Sequence, residues 1–125
     1  MNEELQRSRY SDEELAEFEA LINEKLESAK EQHIFYLTQL QELSENPDSK
    51  IKGLDDGIST SENERLTTMA NRQKKHIQHL ENALIRIKNK VYGICRVTGK
   101  LISKERLRAV PHATLSIEAK QSQVD

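Results

Sequence analysis

The sequence predicts an all-α protein: a long antiparallel two-helix coiled-coil hairpin, followed by a small C-terminal knuckle and a closing helix. Three observations carry this expectation. Apolar residues recur at steps of three and four in two long stretches, a segment dense in turn residues separates them, and residues 92–121 are punctuated by Gly and Pro in a way no long helix tolerates. Hydrophobic residues make up 35% and charged residues 32% of the 125-residue chain, and Trp is absent. That balance suits helices with one buried face better than a thick globule.

The first helix is expected to start at Ser11. Ser11 and Glu14 are spaced as a capping box ahead of the first periodic apolar residues. Leu15, Phe18, Ile22, Leu26, Ala29, His33, Leu37, Leu40 and Leu43 then fall on one stripe, which ends before Asn46-Pro47 because proline disfavours helical geometry in the residue before it. Residues 47–60 contain Pro47, Gly53, Gly57 and several Asp and Ser, and are expected to form a loop. Ser61 with Glu64 offers a second capping box. Leu66, Met69, Ala70, Gln73, Ile77, Leu80, Leu84 and Ile87 make a second stripe, ending near Asn89. Neither helix is stable alone with its stripe in water, so the two should pair as a hairpin with the loop at its tip.

From Tyr92 the pattern changes. A short hairpin turning at Gly99, a turn or two of helix halted by Pro111 and a closing helix are expected, around a core of Ile94, Val97, Leu101, Ile102, Leu107, Val110, Leu115 and Ile117. The expected organisation is a frayed terminus over 1–10, the hairpin over 11–91 with its tip loop at 47–60, and a compact finger over 92–125.

Composition narrows the function. Residues 1–64 carry 17 acidic and 6 basic residues, a balance of −11; residues 65–125 carry 4 and 13, a balance of +9. Two antiparallel helices of opposite charge attract each other without any ligand. The acidic half opposes docking on duplex DNA, and sequence-specific DNA binding is not expected. One cysteine, Cys95, excludes an internal disulfide. With no signal-like or membrane-spanning apolar run, a soluble cytoplasmic protein is expected. No Gly-rich phosphate loop and no nucleophile with a partnering base are evident, so an enzyme is not expected.

Tyr92, Gly93, Cys95, Gly99, Ile102, Arg106, Leu107, Ala109, Pro111, Ala113, Leu115 and Lys120 stand at matching spacing to a Tyr-Gly-x-Cys, Gly-x-x-Ile, Arg-Leu, Pro-x-Ala-x-Leu pattern. With them residues 92–121 resemble the C-terminal zinc finger of the DksA/TraR (DnaK-suppressor) family of bacterial transcription regulators. The four cysteine positions of that family correspond to Cys95, Thr98, Ser116 and Ala119. One thiolate cannot make a tetrahedral zinc site, so the resemblance implies a finger-shaped module without zinc.

The resemblance also implies a partner, RNA polymerase, whose secondary channel the hairpin enters with acidic tip residues approaching the active centre. The family's tip pattern of two aspartates and an alanine falls on Lys52, Asp55 and Gly57, with Asp56, next to Asp55, partly restoring the negative charge that Lys52 removes from the tip. Polymerase or alarmone contacts by Arg72, His79 and Lys120 are implied likewise, although Val110 stands where a basic residue occurs in relatives that bind guanosine tetraphosphate. No other cofactor is expected, and a monomer suits channel insertion. The alternative is a coiled-coil adaptor or self-associating module without polymerase activity.

Overall fold

The computed structural model describes the backbone of residues 8–45 and 56–124 and the side chains of 8–45 and 61–122. It is mostly helical, in the order α1 (Asp12–Glu45), α2 (Asp56–Lys88), α3 (Lys104–Ala109) and α4 (Ile117–Val124). Among the described residues no helix is long and apolar enough to cross a membrane.

α1 starts where the capping box places it. The Ser11 N–H donates to Glu14 Oε1 (2.9 Å), and the Glu14 N–H donates to Ser11 Oγ (3.2 Å), so two groups that lack intrahelical partners satisfy each other. Asp12, Glu13 and Glu14 place negative charge against the positive end of the helix. The second expected box does not form: α2 begins at Asp56, so Ser61 and Glu64 lie inside it and residues 56–60 are helical rather than loop. The reason is that Ser and Thr cost a helix only a few tenths of a kcal/mol each, roughly, so the Ser-Thr-Ser run does not stop one. The rest of the expected loop lies outside the described residues.

α2 ends in a Schellman motif. The Val91 N–H donates to Arg86 O (3.0 Å) and the Lys90 N–H to Ile87 O (3.0 Å), with Lys90 at φ 64°. Glycine usually holds this left-handed position. Lysine is kept here with its ammonium group 3.0 Å from Asp12 Oδ1, tying the end of α2 to the start of α1. That bond and the Arg9 guanidinium hold the Asp12 carboxyl below its usual range.

Two compact units divide the chain. One comprises the described residues up to Lys25 and from His79 onward; the other lies within Leu26–Gln78.

In the second unit α1 and α2 run antiparallel. Gln32 accepts a hydrogen bond from Gln73 (3.1 Å), whereas Gln39, Glu42 and Leu43 line a shallow cleft with Glu62 and Leu66, so numbers rise on one helix as they fall on the other. Leu26 and Ala29 are buried, and His33, Tyr36, Leu40 and Leu43 are half-buried, a seam stepping four and three residues at a time. Leu37, expected on this seam, is turned out to solvent and Tyr36 takes its place. A step of four after His33 follows a step of four before it, which overshoots a paired seam; a step of three corrects it.

The first unit packs the ends of both helices against the finger. Leu15, Phe18, Ile22, Leu80, Ala83 and Ile87 are buried with Tyr92, Ile102 and Leu107. Two expected finger-core residues, Val97 and Ile117, are exposed instead. Val97 lies within the turn from Cys95 to Gly99 and Ile117 opens α4, so neither faces inward; Cys95, Ala113 and Ala119 fill the interior. Tyr10, grouped by sequence with the terminal residues, is buried at 3% exposure. It occupies the position before the Ser11 cap, and buried Leu15 the fourth position of the helix, the two places of a hydrophobic staple.

Candidate functional site

The finger is built by short-range turns and then fastened to the helices. The Ile94↔Leu101 bridge closes a small antiparallel loop, in which Cys95 N–H donates to Lys100 O (2.8 Å) and Gly99 N–H to Cys95 O (2.8 Å). Gly99 turns at φ 73° in open space. Gly93, at φ 79°, is required for a second reason: a Cβ there would lie 2.6 Å from the Tyr10 ring. Ser103 caps α3 by accepting from the Arg106 N–H, and the Arg106 side chain donates from Nε to Leu115 O (2.8 Å), joining α3 to the stretch before α4.

An aromatic chain ties this finger to α1. The ring of Phe18 meets Tyr10 edge-on (centroids 5.8 Å) and Tyr92 at a tilt (5.3 Å). Both phenols also donate hydrogen bonds to backbone carbonyls, Tyr10 to Ile102 and Tyr92 to Pro111. Burial pushes the Tyr92 phenol well above its usual range, with Tyr10 adding to the effect, so it remains a donor. Lys104 Nζ reaches Glu14 Oε2 (2.6 Å) at the rim.

Of the four positions implied as former zinc-ligand sites, Thr98 and Ser116 meet the Cys95 sulphur and Ala119 is joined to Ser116. Cys95 Sγ, with the residue fully covered, accepts from the N–H groups of Thr98 (3.5 Å) and Ser116 (3.4 Å). Ser116 Oγ accepts from Ala119 N–H (3.2 Å) and Thr98 Oγ1 from Lys100 N–H (3.2 Å). The hydroxyls therefore cap local backbone groups and the methyl of Ala119 is buried.

Two opposing effects act on the Cys95 thiol. Burial raises its pKa, but hydrogen bonds from the Thr98 side chain and from the Ser116, Thr98 and Val97 backbone outweigh burial and bring it to about 6. A folded pKa below the unfolded value of 9.0 stabilises the fold fully above pH 9, and this contribution disappears as pH falls through about 6. The urea midpoint is accordingly expected to rise between pH 6 and 9, and to rise less in Cys95→Ser. Thiolate ultraviolet absorbance checks the cause directly; a titration midpoint near 9 in the folded protein contradicts it.

The other sequence-level sites are scattered. Lys52 and Asp55 lie outside the described residues; Asp56 and Gly57 form the start of α2. Arg72 is exposed on α2 in the second unit. His79 is exposed and stacks on His112, with ring centroids 5.1 Å apart and an interplanar angle of 12°. Lys120 is exposed on α4. Among the described residues no group of three or more His, Cys, Asp or Glu is placed to hold a metal.

Comparison with known proteins points in one direction. Residues 90–124 match the prokaryotic dksA/traR C4-type zinc finger. The chain is 44% identical over 50 residues, 40% of its length, to the RNA polymerase-binding transcription factor DksA of Caulobacter vibrioides, and this stretch covers 35% of that protein. It is 28% identical over 98 residues to general stress protein 16O of Bacillus subtilis, covering 78% of this chain and 59% of the relative. The chain thus spans only part of the curated relatives it matches. Its fold is similar to that of the transcription factor DksA2 from Pseudomonas aeruginosa, with a TM-score of 0.80, 25% identity, and coverage of 88% of this chain and 82% of that one. A C4-type finger binds zinc through four thiolates. The sequence holds one cysteine, Cys95, so a set of four thiolates is not available in it and the donors present do not fit such a site.

Proposed function

Because the chain belongs to the DksA/TraR family, we propose that it regulates transcription by binding RNA polymerase through the secondary channel, with no need of zinc. The observation that carries this reading is the likeness to DksA2 over 88% of the chain, a span much longer than the finger alone. The finger's internal hydrogen bonds and the aromatic tie to α1 offer a metal-free way of presenting that shape. The protein acts as a cytoplasmic monomer and a binding factor, not as an enzyme or a sequence-specific DNA reader.

In this reading the helical hairpin brings Asp55 and Asp56 towards the polymerase active centre, flanked by Lys52 and Gly57. A carboxylate at the end of a supported helix pair perturbs a nearby catalytic cation or basic side chain, since Coulomb effects grow where water is excluded. Arg72, His79 and Lys120 contribute contacts to polymerase. With Val110 in place of a cation, guanosine tetraphosphate adds little to the effect.

The test is binding to purified core polymerase with site-specific cross-linking from position 55, alongside Asp55→Ala. Cross-links to the active-centre side of the channel are expected. The variant should keep its affinity while its effect on promoter-complex lifetime falls roughly tenfold, within the usual scale of coupling between a bound effector and a remote equilibrium. Absence of binding at micromolar concentration rules the reading out.

A further inference from the structure

The two units differ in what holds them together. Of the buried hydrophobic side chains among the described residues, only Leu26, Ala29, Leu66 and Ala70 belong to the second unit, and two of these are single methyls. The first unit encloses the aromatic chain, Ile22, Leu80 and the interior of the finger. Burial of apolar area is the main force that keeps a fold closed, so resistance to opening is unevenly divided along the chain.

The middle of the second unit is weaker still. Between Leu26 and Tyr36 the seam of α1 contains Ala29 and a half-buried His33, while over residues 71–78 α2 sets half-buried Gln73, His76 and Ile77 against it. The Gln73 amide donates to Gln32 at 3.1 Å, which puts His33 beside Gln73, but this bond is open to solvent, and water replaces such a bond at little cost. The bonds of Gln41 to Glu45 and of Arg65 to Glu62 lie within single helices and hold neither helix to the other. Helices in proteins draw most of their stability from packing of an apolar face, so parting the two at this layer weakens both along their length.

We propose that the paired helices of the second unit are a conformational device, which opens as one cooperative piece through the His33–Gln73–His76 layer while the first unit stays folded. The opening itself is independent of what the protein binds. Its consequence rests on the polymerase reading: Asp55 and Asp56 lie in sequence between the two stretches that part, so heating removes the support of the tip before it unfolds the finger.

Amide hydrogen exchange resolved by residue tests this on the full chain, on Tyr10→Phe and on the double variant His33→Leu, Gln73→Leu. In the natural chain, protection over residues 26–45 and 61–78 is expected to lie roughly a hundredfold or more below that of Ile22, Leu80 and Ile102. Tyr10→Phe removes a hydrogen bond of the first unit that is kept when the second opens, so protection should fall roughly three- to tenfold in the first unit and stay unchanged in the second. The double variant makes the polar layer apolar and should raise protection about tenfold across 26–45 and 61–78 together. On heating, helix content should fall before buried Cys95 becomes open to a thiol reagent. Equal protection in both units, or a fall in both with Tyr10→Phe, overturns the proposal, because the chain then unfolds as one body. No rise in the double variant, or a rise confined to the neighbours of residues 33 and 73, overturns it as well, since the unit then frays locally instead of opening as a piece. The expected exchange pattern in a chain that does not bind polymerase upholds the device and removes only its consequence for the tip.

Discussion

Replacing Phe18 with alanine is expected to destabilise the fold by about 3 to 5 kcal/mol, the usual cost of removing a buried phenylalanine. Phe18 is 5% exposed and lies between the rings of Tyr10 and Tyr92. Its loss removes the middle member of the chain that joins α1 to the finger, and in a unit this small few neighbours are available to collapse into the space. The two phenols also lose the ring that positions them against the Ile102 and Pro111 carbonyls. Urea unfolding followed by circular dichroism gives the magnitude. The reaction rate of buried Cys95 with a thiol reagent gives the location, and it should rise together with the loss of stability. Tyr10→Phe provides the graded comparison: it keeps the ring and deletes one hydrogen bond, at about 0.5 to 1.5 kcal/mol. A Phe18→Ala cost below about 1 kcal/mol, with Cys95 still protected, would mean that the aromatic chain is not what holds the finger.

Much of this arrangement is legible in the sequence, and the exceptions have physical causes. The Ser11-Glu14 box is local, involves only four residues and forms as its pattern says. Ser61-Glu64 has the same pattern but lies inside a helix, since a box describes what can cap and not where the preceding residues stop being helical. Leu37 is a similar case. Steps of three and four are both helical, and the choice between Tyr36 and Leu37 at the seam is made by the opposite helix, which periodicity along one helix does not contain. The finger shows a third limit: its apolar residues are easily counted, but Val97 and Ile117 face water while Cys95 and Ala119 are inside, because tight turns rather than a repeat set direction there. Tyr10, by contrast, carries a local signal, standing one residue before a recognisable cap where a staple residue belongs. The aspartates of the candidate tip are legible only through the resemblance, as nothing in Asp55-Asp56 alone separates a functional acid from a turn residue.

Restoring the missing thiols should convert this finger into a zinc-dependent one. In the natural chain, a strong chelator is expected to leave the melting temperature unchanged, and the purified protein should carry no stoichiometric zinc. The variant Thr98→Cys, Ser116→Cys, Ala119→Cys should bind one zinc ion, and its melting temperature should differ by roughly 10 to 20 °C with and without metal. The expectation follows from backbone positions. The N–H groups of residues 98 and 116 already point at Cys95 Sγ from 3.5 and 3.4 Å, and residue 119 is joined to residue 116 through the Ser116 hydroxyl. Two of the three positions thus adjoin the existing sulphur and the third adjoins one of them, and the variant tests whether their side chains reach a tetrahedron of Zn–S bonds about 2.3 Å long. Without metal the same variant should be less stable than the natural chain, because it loses the Ser116 cap on Ala119 and the Thr98 acceptor for Lys100, and it crowds the space occupied by a buried methyl. The two arms separate two ideas. A natural chain that melts earlier in chelator shows that Cys95 has recruited ligands from elsewhere, and the metal-free reading falls. A triple variant that folds but takes up no zinc shows that the backbone no longer has a zinc knuckle's geometry, so that hydrogen bonds have replaced the metal by reshaping the site rather than by filling the same shape.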